Sequence, residues 1–93
     1  MADAVRDNAA RSRYELEVSG QTAFLDYRQS GKLRVLTHAE VPQALRGAGI
    51  AARLTAGALE LVRAEGGKVL PRCPYVVEFI ERNPQFNDLL AAP

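Results

Sequence analysis

The chain has 93 residues, of which 47% are apolar and 25% charged, with a formal net charge of +1 at neutral pH. That describes one small domain with a thin core, and the near-zero charge argues against general binding to nucleic acid or membrane. A lone cysteine, Cys73, excludes an internal disulfide and fits a reducing, cytoplasmic setting.

Residues 1–12 are polar and Ala/Arg-rich without periodicity, so a flexible N-terminal tail is expected there. They lack the apolar stretch of a secretion signal, and no segment downstream approaches the roughly 18 apolar residues of a membrane helix. From Arg13 a single domain over 13–93 is expected. "RYELEV" alternates, with Tyr14, Leu16 and Val18 on one face and Arg13, Glu15 and Glu17 on the other, which is a half-buried strand. "SGQ" turns the chain into "TAFLDYR", a second strand, and "QSGK" leads to "LRVLTHAEV", a third ending before Pro42. The short polar links between them mark an antiparallel meander.

After Pro42 the period becomes helical. Ile50, Leu54, Ala58 and Leu61 share a face, with Ala51 and Val62 beside it, and the helix should run from near Gly49 to Gly66-Gly67. Gly57 inside it costs about 1 kcal/mol relative to alanine, which suggests close packing on the sheet there. "KVLPRC" reads as a fourth strand. Pro74 opens a second helix, "PYVVEFIERN", with Val77, Ile80 and Val76 inward, and "PQFNDLL" forms a last short turn. The order is β-β-β-α-β-α: an α/β fold (α+β mixed sheet) of about four strands, mostly antiparallel. The helical crossover makes the third and fourth strands parallel neighbours.

"RGAGIA", at the start of the first helix, is the segment with a chemical reading. A helix start offers unpaired N–H groups and a partial positive charge, and glycines let an anion approach them without meeting a Cβ. No Lys-Ser/Thr follows the second glycine, so it is no Walker A loop. The preceding antiparallel sheet and the missing third glycine exclude a dinucleotide fingerprint.

Arg46, Gly49 and Ala51 match the Arg/Gln-x-x-Gly-x-Gly/Ala signature of the GNAT superfamily of acetyl-CoA-dependent N-acetyltransferases. "THAEVPQALRGAGIAARL" and "KVLPRCPYVVEFIERNPQF" together resemble its small single-domain members, over about Tyr14 to Leu90. The resemblance implies a GNAT-like fold and acetyl-CoA as co-substrate. It implies that Arg46, Gly47, Ala48, Gly49, Ile50 and Ala51 hold the pyrophosphate by their N–H groups, with Val41 pairing the pantetheine arm. It also implies an amine acceptor, a small molecule or a protein. The helical pair and trailing hairpin that wall the acceptor site in larger members are missing here. A monomer and a homodimer are both open.

Acetyl transfer to an amine needs a base and a proton donor for the departing thiolate. His38 and Glu40 share one face of the third strand, about 6.5–7 Å apart, and either could take the amine proton. Leu36 falls on the same alternation, which would place both toward the core. Cys73 stands directly before a helix start and beside Arg72, a setting that favours a thiolate, so it is a candidate nucleophile or acid. Tyr75 is the rival acid, since many GNAT enzymes use a tyrosine on this helix. Arg82 and Asn83 stand near the reach of the adenosine end. No third ligand accompanies His38 and Glu40, so no metal is expected. The enzyme reading stands beside an alternative, a non-catalytic CoA- or acyl-CoA-binding module that kept the loop and lost turnover.

Overall fold

The computed structural model describes residues 4–91. Five strands form one sheet in chain order: β1 (Arg6–Asn8), β2 (Arg13–Val18), β3 (Gln21–Ser30), β4 (Leu33–Glu40) and β5 (Lys68–Pro71). The first four pair antiparallel and β4 pairs parallel with β5. The crossover between those two is α1 (Ile50–Ala64), and α2 (Pro74–Arg82) follows β5. The sequence suggested about four strands, and the fifth is β1, inside the stretch expected to be a tail. Three residues are too few for a periodic signal. Arg6 bonds Glu15 and Asp7 accepts from the Tyr27 hydroxyl at 2.6 Å. Residues 1–3 of that stretch lie outside the described residues.

Tyr14, Leu16, Ala23, Leu25, Tyr27 and Leu36 give the sheet one apolar face, and α1 covers it with Ile50, Leu54, Ala58, Leu59 and Val62. Each large aliphatic side chain among them contributes about 1.5–3 kcal/mol by leaving water. The buried stripe is turned slightly from the expected one: Leu59 and Thr55 are inside, and Leu61 is half-buried. Gly57 is where the N-terminal segment crosses α1, since a Cβ there would lie 2.3 Å from Val5 Cγ2. The close packing expected at Gly57 is therefore against this segment and not, as the sequence suggested, against the sheet. On α2, Val76 and Ile80 are buried whereas Val77, expected inward, is 38% exposed. Pro74 at the helix start sets the phase, and a four-residue step from Val76 reaches Ile80.

The other face of the sheet carries mostly polar and charged side chains, with Phe24 and Val35 among them. Glu15 is nonetheless buried there, under Arg6, Asn8 and Arg13, which donate to its carboxylate at 2.8, 3.1 and 2.7 Å. The Arg13 bond, aided by the other two against the cost of burial, holds that carboxyl below the usual range. Arg13 in turn lies 4.4 Å over the Phe24 ring.

Candidate functional site

The strands β4 and β5 stay together only as far as Leu36 and Pro71. The N–H groups of Arg72 and Cys73 both donate to the Leu36 carbonyl, at 2.8 and 3.1 Å, and this is the last backbone bond between the two chain segments. Pro71 has no N–H to extend the ladder, and Pro74 turns the chain into α2. Meanwhile β4 continues to Glu40, paired with β3 alone. A wedge therefore opens between the end of β4 and the start of α2.

The loop to α1 crosses this wedge. A 3₁₀ turn, Gln43–Leu45, plants Leu45 in the core, and the chain then swings through Gly47 (φ +87°) and Gly49 (φ +72°) into the helix. Both are left-handed conformations that cost a side-chain-bearing residue about 1–2 kcal/mol. A Cβ at either glycine would meet nothing within 4 Å. The space in front of the helix is open. No side chain caps α1 and no acidic residue stands in its first turn, so the N–H groups there face that space without a charge to repel an anion.

A cleft of about 190 Å³ occupies the wedge. Val41, Leu45, Arg46, Gly47, Gly49, Ile50, Ala51, Ala52 and Tyr75 line it. Its lining is largely apolar, with main-chain N–H groups at one end. A second hollow of about 270 Å³ adjoins it, sharing Ala52 and Tyr75 and extending along α2 to Arg82 and Asn83. A third cavity, about 180 Å³, lies at the far end of α1 beside Lys32, Arg34 and Glu65. That end presents carbonyls rather than N–H groups, and Glu65 already holds Arg34 at 3.1 Å, so the wedge is the better candidate for an anionic ligand.

Of the residues expected to hold a cofactor, all but Ala48 line the cleft; Ala48 is exposed outside it. The candidate catalytic groups divide. Tyr75 lines both hollows, and burial, with Glu78 adding to it, raises its phenol above the ordinary range. Cys73 is 8% exposed, belongs to the core cluster and does not line the cleft. His38 and Glu40 contact each other at 3.1 Å between Nε2 and Oε1, but lie on the open face of the sheet at 59% and 58% exposure.

Their position corrects the expectation that they share the face of Leu36. In the β3–β4 pairing Leu36 stands opposite Tyr27 and His38 opposite Asp26, leaving Thr37 without a partner. That bulge flips the alternation. Leu36 faces α1, while His38 and Glu40 face away. Sequence reading also missed Leu45 and Ala52 as walls. Leu45 had no periodic partner to signal its burial, and Ala52 looked like one more alanine on the helix.

A family model for GCN5-related N-acetyl-transferases matches residues 13–89. The chain belongs to that family. Curated relatives are similar over most of the domain. Protein NATD1 of Mus musculus is 36% identical over 83 residues, spanning 86% of this chain and 76% of its own. Protein NATD1 of Homo sapiens is 36% identical, with 86% and 74% covered. Its counterpart in Xenopus tropicalis is 35% identical, with 86% and 76% covered. As in the sequence resemblance, this domain keeps a mixed sheet, a main helix and the glycine loop between them. Among the described residues no group of three or more His, Cys, Asp or Glu side chains gathers as a metal site.

Proposed function

We propose that this domain is an acetyl-CoA-dependent N-acetyltransferase acting on an amine, small or protein-borne, in the cytoplasm. The observation that carries the reading is the cleft itself. It joins an uncapped helix start, fronted by two glycines with open space beyond them, to an unpaired strand end and an apolar wall. The open cradle fits a pyrophosphate, and the strand end fits the amides of a pantetheine arm.

When bound, acetyl-CoA supplies the activated acetyl thioester. The N–H groups of the Gly47–Ala51 segment hold its pyrophosphate, and the backbone at Val41 orients the arm toward the wedge. The acceptor nitrogen forms a bond to the acetyl carbon, the carbon–sulfur bond breaks, and a proton leaves the nitrogen. Tyr75 is placed to return a proton to the departing thiolate. A tyrosine phenol is protonated at neutral pH, as a general acid must be, and the burial of Tyr75 favours that form further. Glu40 and His38, at the end of β4 on the open face of the sheet, do not line the cleft, so the amine proton reaches either of them only by way of water.

Calorimetric titration with acetyl-CoA, followed by turnover with a panel of amines, tests the proposal. Micromolar to submillimolar binding with turnover supports it. Binding without turnover on any amine would favour the non-catalytic acyl-CoA-binding module, and absence of binding would reduce the glycine loop to a turn.

A further inference from the structure

The loop is tied back onto the strand end by a single side chain, and the inference drawn from that bond rests on the reading of the cleft as an acetyl-CoA site. Arg46 Nε–H donates to the Val41 carbonyl at 3.2 Å. Both residues line the cleft. Arg46 is exposed and, among the described residues, has no carboxylate partner. Val41 follows directly on the last residue of β4, and Arg46 supplies the bond that its carbonyl accepts. One exposed bond thus occupies two groups that an extended acyl-CoA would use better. A guanidinium pairs more strongly with a phosphate than with a neutral carbonyl, through parallel charge-assisted bonds. A strand-end carbonyl is the natural acceptor for an amide N–H of the pantetheine arm.

We propose that Arg46 is a latch: in the free protein it holds the Val41 carbonyl, and on taking the pyrophosphate it releases that carbonyl to the arm. The two halves of the cofactor then assist each other. A pantetheine thioester without the nucleotide meets a closed latch, and its affinity is lowered by the fraction of molecules that are open. By linkage, pyrophosphate and pantetheine raise one another's affinity by the same factor. Arg46 so makes the site selective for nucleotide-bearing acyl donors over acyl-pantetheine, beyond what one phosphate contact adds.

The test is titration of the whole chain, wild type and Arg46→Ala, with acetyl-CoA, S-acetylpantetheine and inorganic pyrophosphate, singly and in pairs. Melting curves confirm that the exposed substitution leaves the fold intact. Arg46→Ala is expected to bind acetyl-CoA roughly tenfold more weakly, yet S-acetylpantetheine roughly five-fold more tightly than wild type. Pyrophosphate should strengthen S-acetylpantetheine binding in wild type and not in the variant. In carbon-13 NMR of the wild type, pyrophosphate alone should shift the Val41 carbonyl resonance as its hydrogen bond is lost. S-acetylpantetheine binding that is unchanged, weaker or undetectable in both proteins overturns the latch, as does a Val41 carbonyl indifferent to pyrophosphate. Wild type that fails to bind acetyl-CoA overturns the site reading instead.

Discussion

Both ends of α1 carry a pair of glycines, and the two ends are built for opposite purposes. At the C-terminal end the backbone N–H groups of Glu65, Gly66 and Gly67 turn back onto the helix. Glu65 N–H reaches the Leu61 and Val62 carbonyls, Gly66 N–H that of Arg63, and Gly67 N–H that of Val62. Gly67 is glycine because a Cβ would lie 2.6 Å from the Lys32 carbonyl oxygen and 3.2 Å from Val62 Cγ1. At the N-terminal end Gly47 and Gly49 meet nothing within 4 Å, and the first turn has no cap. Similar short sequences therefore mark a packing contact at one end and a vacant cradle at the other. What distinguishes them is whether a missing side chain is replaced by protein or by space.

Substitutions that exchange the two readouts would break that comparison. Gly67→Ala should give the largest loss of stability, about 2–3 kcal/mol, because the neighbour it strikes is backbone and cannot move aside. Urea denaturation would show it, while the acetyl-CoA affinity of the folded protein stays unchanged. An affinity loss at constant stability would reverse the roles assigned to the two ends. Tyr75→Phe, at the open end, should lower kcat by roughly 100-fold with acetyl-CoA affinity intact, the contribution of a lost general acid. The acid must be protonated to act. Since burial raises Tyr75 above its ordinary value of 10.0, the alkaline limb of the wild-type rate should fall only above that pH. A limb falling well below pH 10 would point to another donor.

The sequence carried the fold further than the site. Three strands joined by short polar links, a glycine-bounded amphipathic helix and proline-marked boundaries are local signals, and each of these elements is found where expected. The parallel pairing of β4 with β5 also follows from the crossover. What escaped depends on contacts between distant segments. β1 is recognisable only once Arg6 and Asp7 find Glu15 and Tyr27, and the bulge at Thr37 exists only in the pairing of β4 with β3. Alternation alone therefore put His38 and Glu40 on the wrong side relative to Leu36. The position of the glycine loop before α1 was legible in the sequence, and the structure adds that Gly47 and Gly49 take left-handed conformations there. Cys73 and Tyr75 are separated by one residue, and only the helix phase shows which of them reaches the cleft.

Gly49→Ala should have a smaller effect than either change above, and of the opposite character to Gly67→Ala. Forcing a Cβ into the left-handed region costs about 1 kcal/mol of stability. The same methyl group projects toward the cradle and should weaken acetyl-CoA roughly tenfold by keeping an anion off the first-turn N–H groups. A stability loss on the scale of about 2–3 kcal/mol expected at Gly67, roughly twice the cost of left-handed strain alone, would mean the loop has collapsed, and the comparison between the two ends would lose its force.

The smallest effect is expected at Cys73, whose side chain lies among the core residues while its backbone does the structural work. Its N–H closes the last bond to Leu36 and its carbonyl accepts from Val76 and Val77 at the start of α2. An alanine keeps all three bonds. Cys73→Ala should therefore cost only about 1 kcal/mol, for the loss of a sulfur from packing, and leave kcat within about three-fold, below the hundredfold scale of a general acid. Intact mass after incubation with acetyl-CoA gives the decisive reading. An acetyl adduct on the wild type that vanishes in Cys73→Ala would mean that the thiol leaves the core to take the acetyl group. The wedge would then have to open further than its free form does, and Tyr75 would serve a covalent intermediate rather than direct transfer.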